Sequence, residues 1–146
     1  MKPTPSDWPR ISASLIYKEP LKAIEWLGKA FGFEPRLVVE HDGIVAHSEL
    51  VYGEAVIMVS SEDRPDRPES CGKSPVSLGG ATTGSLMVYV DDCDAHCERA
   101  RAAGATITGE PSVHDYGEEY WADRSYGCRD VEGHQWWFAQ RLRSRS

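Results

Sequence analysis

The stretch MVYVDDCDAHCERARAAGATI, residues 87–107, decides the fold, because it passes from strand to helix and back to strand within one short span. Ser85 to Val90 is a β-prone run. Asp91-Asp92 then supplies the helix N-terminus, since a short carboxylate side chain accepts from the first unpaired backbone N–H groups. Ala95 to Ala103 carries helix-forming residues up to Gly104, where the left-handed backbone that ends many helices costs glycine nothing. Beyond it lie three strand-like stretches, Ala105 to Val113, Tyr120 to Cys128 and His134 to Gln140. They are separated by Tyr116-Gly117 and by Asp130-Val131-Glu132-Gly133. The unit reads βαβββ.

The same order stands earlier in the chain. Ile11 to Tyr17 is a strand-prone run, and Pro20 opens Leu21 to Phe31, where Leu21, Ile24, Leu27, Ala30 and Phe31 recur at helical spacing before Gly32. Arg36 to Glu40 precedes the hairpin pair Asp42-Gly43, Ile44 to Val51 follows it, and Tyr52-Gly53 leads into Ala55 to Val59. Residues 61–83 lack periodicity and carry Pro65, Pro68, Pro75, Gly72, Gly79 and Gly80, the composition of a linker or long loop. The chain is thus an internal duplication of units about 65 residues long. We expect one α+β domain over residues 1–146, with one βαβββ module at about 11–60, a linker at 61–83 and a second module at about 84–140.

Composition bounds the function. With 146 residues, 40% hydrophobic and 27% charged, the chain can bury a core without disulfides or a structural metal. Sixteen basic against twenty-three acidic residues give a net charge of −7, and the basic residues are scattered apart from Arg141, Arg143 and Arg145, which read as a solvated tail. Nucleic acid is therefore not an expected partner, because phosphate binding needs clustered positive charge. No apolar run nears the ~20 residues of a membrane span, and Met1 to Arg10 has no apolar segment of a signal peptide. We expect a cytoplasmic protein. Cys71, Cys93, Cys97 and Cys128 form no paired CxxC framework, which favours reduced thiols.

Three segments besides the opening stretch carry a resemblance: RSYGCRDVEGHQWWFAQ (124–140), AIEWLGKAFGFEP (23–35) and DGIVAHSELVYGEAVIMVS (42–60). From about Ile11 to Gln140 the chain resembles the vicinal oxygen chelate superfamily of glyoxalases, bleomycin resistance proteins and extradiol dioxygenases, in a glyoxalase-like branch. The resemblance implies two βαβββ modules whose sheets line a small-molecule cleft. In metal-dependent relatives, ligands come from the first and last strands of each module. Those positions fall on Ser12, Met58, Ser85 and Trp137. Two hydroxyls, a thioether and an indole are not the O and N donor set a divalent ion needs, so neither metal nor another cofactor is expected.

Strand alternation places further residues on the cleft side with these four: Ser14, Ile16, Val56, Ser60, Met87, Tyr89, Gln135 and Ala139. Each of them equally suits plain packing of the sheet. His47 is an acid, base or hydrogen-bonding candidate, or a structural strand histidine. His114, Glu118 and Glu119 near Tyr116 and Tyr120 read as a cleft rim or as loop polarity. His134 belongs to a structural turn. In the branch resembled, the strand holding Trp121, Asp123, Arg124 and Tyr126 runs into the cleft, which nominates Trp121 and Arg124, the latter as a fork for an oxyanion.

The expected ligand-binding set is Ser12, His47, Met58, Ser85, Tyr89, Trp121, Arg124 and Trp137. Five tryptophans, six tyrosines and the missing donor set favour uptake of a small aromatic or hydrophobic molecule in a metal-free cleft, and the resemblance, to a family whose members commonly pair modules across a two-fold axis, implies a homodimer. The alternative is an enzyme of the same superfamily, of lyase, isomerase or dioxygenase type, metal-dependent or metal-free.

Overall fold

The computed structural model describes residues 1–69 and 72–146; Cys71 lies outside the described residues. The first unit holds β1 (Ala13–Tyr17), α1 (Pro20–Phe31), β2 (Glu34–His41), β3 (Ile44–Tyr52) and β4 (Ala55–Ser61). A 3-10 turn at Pro75–Leu78 follows. The second unit repeats the order as β5 (Ser85–Tyr89), α2 (Cys93–Ala102), β6 (Thr106–Asp115), β7 (Ala122–Arg129) and β8 (Gln135–Arg143). Each unit builds its own mixed four-stranded sheet, ordered β1-β4-β3-β2 and β5-β8-β7-β6. First and last strands of a unit pair in parallel, Ser14 opposite Met58 and Met87 opposite Trp137, and the other pairs are antiparallel. The expected α+β fold of two βαβββ modules is the observed one.

The two helices start and stop for different reasons. In α1, Pro20 occupies the first turn, where its missing N–H is no loss. Gly32, at φ 89°, then turns the chain so that its N–H reaches Gly28 O. In α2, the Asp92 side chain accepts from Ala95 N, Asp94 sits in the first turn, and Arg99 and Arg101 lie in the last, each charge matching its end of the helix dipole. This cap starts the helix at Cys93, two residues earlier than expected. The buried face of α2 is Cys93, His96, Cys97 and Ala100, a helical spacing that is only partly apolar.

Both helices and the inner faces of both sheets share one apolar core. Phe31 packs on Phe138 at 4.7 Å and on Trp136 at 5.2 Å, so the end of α1 is wedged against β8 of the other module. Trp26 Nε1 donates to Ala103 O, and the Arg99 guanidinium donates to Lys29 O and to Gly28 O, the latter shared with the Gly32 N–H, at the C-terminal end of α1. His96 completes the seam with one ring nitrogen 3.0 Å from Phe31 O and the other 2.6 Å from the Tyr126 hydroxyl.

A buried carboxylate pair in the β7–β8 turn joins the modules a second time. Asp130 accepts from the Tyr17 hydroxyl at 2.5 Å, from Trp136 Nε1 at 3.0 Å and from the backbone N–H groups of Glu132 and His134. Glu132 accepts from Lys18 N, Glu19 N and Ser74 Oγ. Burial, ahead of the nearby Asp130 charge, holds the Tyr17 hydroxyl protonated well above its ordinary range.

Two strand ends differ from the sequence reading. β7 begins at Ala122, because Tyr120 belongs to a turn whose N–H bonds Gly117 O. β8 continues through Arg141 to Arg143, so those arginines are not a solvated tail. Arg141 pairs with Asp123 and Arg143 with Asp115, and these pairs carry the strand past Gln140.

Candidate functional site

The core-facing residues of each sheet leave an opposite face turned away from the helices. On the second sheet, cross-strand register puts Met87, Trp137 and Gly127 in one row, and Tyr89, Ala139 and Ser125 in the next, with Asp123 opposite Arg141 beyond them. A depression of about 340 Å³ opens there, lined by Met87, His114, Tyr116, Trp121, Asp123, Ser125, Trp137 and Ala139. Tyr116 and Trp121 pack at 5.4 Å, and Tyr120 meets Trp121 edge to face at 6.3 Å. Trp137 is 41% exposed and Met87 56%, which leaves large apolar surfaces facing solvent in a bowl rather than a core.

One cation edges this bowl. The Arg141 guanidinium lies 5.0 Å from the Tyr89 ring centre and 5.6 Å from that of Trp121. Its Nε donates to Asp123 at 2.6 Å and its Nη2 to the Tyr89 hydroxyl, while that hydroxyl donates to the other Asp123 oxygen at 3.3 Å. The carboxylate and the two rings hold the fork in one orientation.

On the first sheet, a second depression of about 340 Å³ is lined by Ser14, Ala46, His47, Ser48, Met58, Val59, Ser60, Arg64 and Arg67. Here polarity dominates. His47 Nε2 lies 3.1 Å from Glu49, whose other oxygen accepts from Arg36 Nε at 2.6 Å, and the Arg36 guanidinium stacks over Trp8 at 5.1 Å. The hydrogen bond to His47, then that to Arg36, holds the Glu49 carboxyl below its usual range.

The structure divides the expected set. Tyr89, Trp121 and Trp137 meet on the second sheet; His47 and Met58 meet on the first. Ser85 lines a groove between β1 and β5, also of about 340 Å³, together with Ser14, His134 and Gln135. Ser12 precedes β1 and lines neither depression; its hydroxyl is shielded with no hydrogen-bond partner among the described residues. The two depressions share no lining residue.

Arg124 is a correction. It shares its side of β7 with the buried Tyr126 and Cys128, and its fork grips Asp94 of α2 at 2.7 and 2.8 Å, so it points away from the aromatic face. Arg141 is the cation there. Alternation along β8 from Gln135 through Trp137 and Ala139 reaches Arg141, a signal available in the sequence once the strand is carried past Gln140. Arg64 and Arg67 lay in an aperiodic segment that offered no such signal.

The residues at the four positions that hold a divalent ion in metal-dependent proteins of this architecture do not fit one. Ser12, Met58, Ser85 and Trp137 offer two hydroxyls, a thioether and an indole, not the O and N donor set a divalent ion needs. Among the described residues no three His, Cys, Asp or Glu side chains gather as a metal site. Also among them, no helix is long and apolar enough to cross a membrane.

Comparison with known proteins agrees with this architecture. The family model described as Glyoxalase/Bleomycin resistance protein/Dioxygenase superfamily matches residues 11–138. The Mycobacterium bovis protein Mb0911c is 32% identical over 139 residues, covering 92% of this chain and 85% of its own length. Among solved structures, TioX from Micromonospora sp. ML1 superposes with a TM-score of 0.70 at 33% identity, over 92% of this chain and 99% of TioX. The fosfomycin resistance protein FosX from Listeria monocytogenes superposes at 0.60 with 15% identity, over 90% and 92%, a likeness of fold alone.

Proposed function

Because the chain belongs to the glyoxalase/bleomycin resistance protein/dioxygenase superfamily, we propose that it is a cytoplasmic, homodimeric protein that binds a small aromatic or hydrophobic molecule in a metal-free cleft. The observation that carries this reading is the bowl of the second sheet, where Trp137, Trp121, Tyr116 and Met87 surround a depression of about 340 Å³, within the range of small-molecule sites. The donor set at the four ligand positions supports the metal-free part of the reading. Assembly follows from the two unclosed faces: a two-fold axis that sets the first sheet of one chain over the second sheet of its partner forms two equal clefts. Each cleft then has an aromatic wall and a wall of hydroxyls, His47 and Met58.

The test is a compound screen read by tryptophan fluorescence and thermal shift. A ligand at a hundred times its dissociation constant stabilises by about 2.7 kcal/mol. Hits that bind Trp137→Ala as tightly as wild type overturn the reading, as does a monomer in sedimentation at micromolar concentration. So does a stoichiometric metal whose removal by chelator abolishes an activity.

One observation favours a metal-free enzyme as the second reading. His47 is oriented by Glu49, which Arg36 fixes in turn, the arrangement of a positioned general base. Loss of turnover in His47→Gln with ligand binding intact separates it from the first.

A further inference from the structure

Resting on the reading that Trp137 stacks a ligand, we propose that Gly127 is the positioning residue of the site and that it restricts the ligand class to flat, fused-ring aromatic compounds. Gly127 lies in the middle of β7 directly opposite Trp137. Its φ is not positive, so backbone geometry does not demand glycine there, and glycine weakens a strand interior. Close approach accounts for it. A methyl group at this position would stand 2.6 Å from Trp137 Cζ3 and 2.9 Å from both Cε3 and Cη2. These are three consecutive ring atoms, and only a point above the ring face lies nearly equally far from all three. An edgewise approach would leave the two flanking atoms much farther than the middle one.

The indole therefore lies across β7 instead of standing upright, as strand side chains usually do. One face rests on the Gly127 backbone, and the other looks into the bowl. Gly109, the β6 partner of Gly127, is not needed in the same way: a methyl there would make ordinary contacts, 3.8 Å to Cζ3 and 3.7 Å to Gly127 N. An upright indole would fill the depression with its edge. Lying flat, it leaves the space open and offers its π-face, which gains from an offset-stacked planar ring what a puckered aliphatic ring cannot return.

The probes are 2-naphthoate and cyclohexanecarboxylate, equal in charge and different in planarity, titrated against the full-length protein. We expect wild type to prefer 2-naphthoate, and Gly127→Ala to lose about tenfold in its affinity for that probe with little change for cyclohexanecarboxylate. In a Trp137→Ala background Gly127→Ala should cost nothing more, and Gly109→Ala should behave as wild type. Acrylamide quenching of Trp137, taken as wild type minus Trp137→Phe, needs no ligand and should rise in Gly127→Ala. If Gly127→Ala folds poorly, the Gly127→Ala/Trp137→Ala double variant should recover stability, because the obstructing indole is gone. Unchanged quenching, additive losses in the double variant, or no such recovery overturns the positioning role. Equal binding of 2-naphthoate to wild type and Trp137→Ala overturns instead the stacking reading, and the ligand class with it.

Discussion

Replacing Glu132 should loosen the second joint between the modules, beyond their shared core, without touching either open face. Its carboxylate is 9% exposed and accepts from Lys18 N at 2.6 Å, Glu19 N at 2.9 Å and Ser74 Oγ at 2.5 Å. A hydrogen bond to a charged group contributes about 1.5–3 kcal/mol. Water can reach part of the exposed Lys18–Glu19 corner in the variant, so the three bonds do not add in full. We expect Glu132→Ala to cost about 3–5 kcal/mol, which is about 10 °C in Tm for a chain of this size. Glu132→Gln keeps the shape but turns an amide nitrogen toward a donor, and should cost about half as much. Thermal and urea unfolding at neutral pH measure both. Because this carboxylate bridges β1–α1 to the β7–β8 turn, the alanine variant should also broaden the transition as the modules begin to unfold separately. A Tm for Glu132→Ala within about 2 °C of wild type refutes the view that the turn holds the modules together.

Burial lowers the pKa of His96, so the unfolded chain binds its proton more readily, and this part of the stability is complete above the unfolded value of about 6.5 and lost as pH falls below it. The fall in stability between about pH 6.5 and 5 should therefore be shallower in His96→Gln than in wild type, by up to about 1.4 kcal/mol per pH unit; equal slopes refute it. Burial pushes the thiols of Cys93 to about 11 and Cys128 to about 12 and raises that of Cys97, so iodoacetamide at pH 8 should label these three only after denaturant is added, as peptide mapping by mass spectrometry would show. Arg124→Met breaks only an exposed pair with Asp94 and should leave 2-naphthoate affinity at the wild-type value. Arg141→Met should weaken 2-naphthoate but not neutral naphthalene; 2-naphthoate affinity lost in Arg124→Met and kept in Arg141→Met would return the anchoring role to Arg124.

The fold was legible because it rests on punctuation that acts locally. Asp92, Gly32 and Pro20 start or stop helices through their own backbone chemistry, and Asp42-Gly43 turns a hairpin whatever surrounds it. The duplicated element order then needs no long-range information. What holds the modules to one another is different in kind. The seam joins Phe31 to His96, and the corner joins Lys18 to Glu132, residues more than sixty positions apart. His96 shares its helix face with Cys93, Cys97 and Ala100, but among Asp94, Glu98 and Arg99 that face is too weakly apolar to mark the histidine as buried.

The site was legible only where alternation was applied along a whole strand. Counting in twos along β1, β4, β5 and β8 places Ser14, Met58, Met87, Tyr89 and Trp137 on the side away from the helices, where they stand. The same count along β7 sets Arg124 with Tyr126 and Cys128, whose apolar character marks the inward side. It sets Asp123 with Ser125 and Gly127 on the outward side. Ranking Arg124 by its chemistry alone passed over that parity, and ending β8 at Gln140 hid Arg141 one alternation further on. The division into two faces has no local signature at all, because it depends on the helices packing together between the sheets. That packing sets the aromatic wall and the His47 wall of one chain on separate depressions, and the cleft we propose is one that a second copy completes.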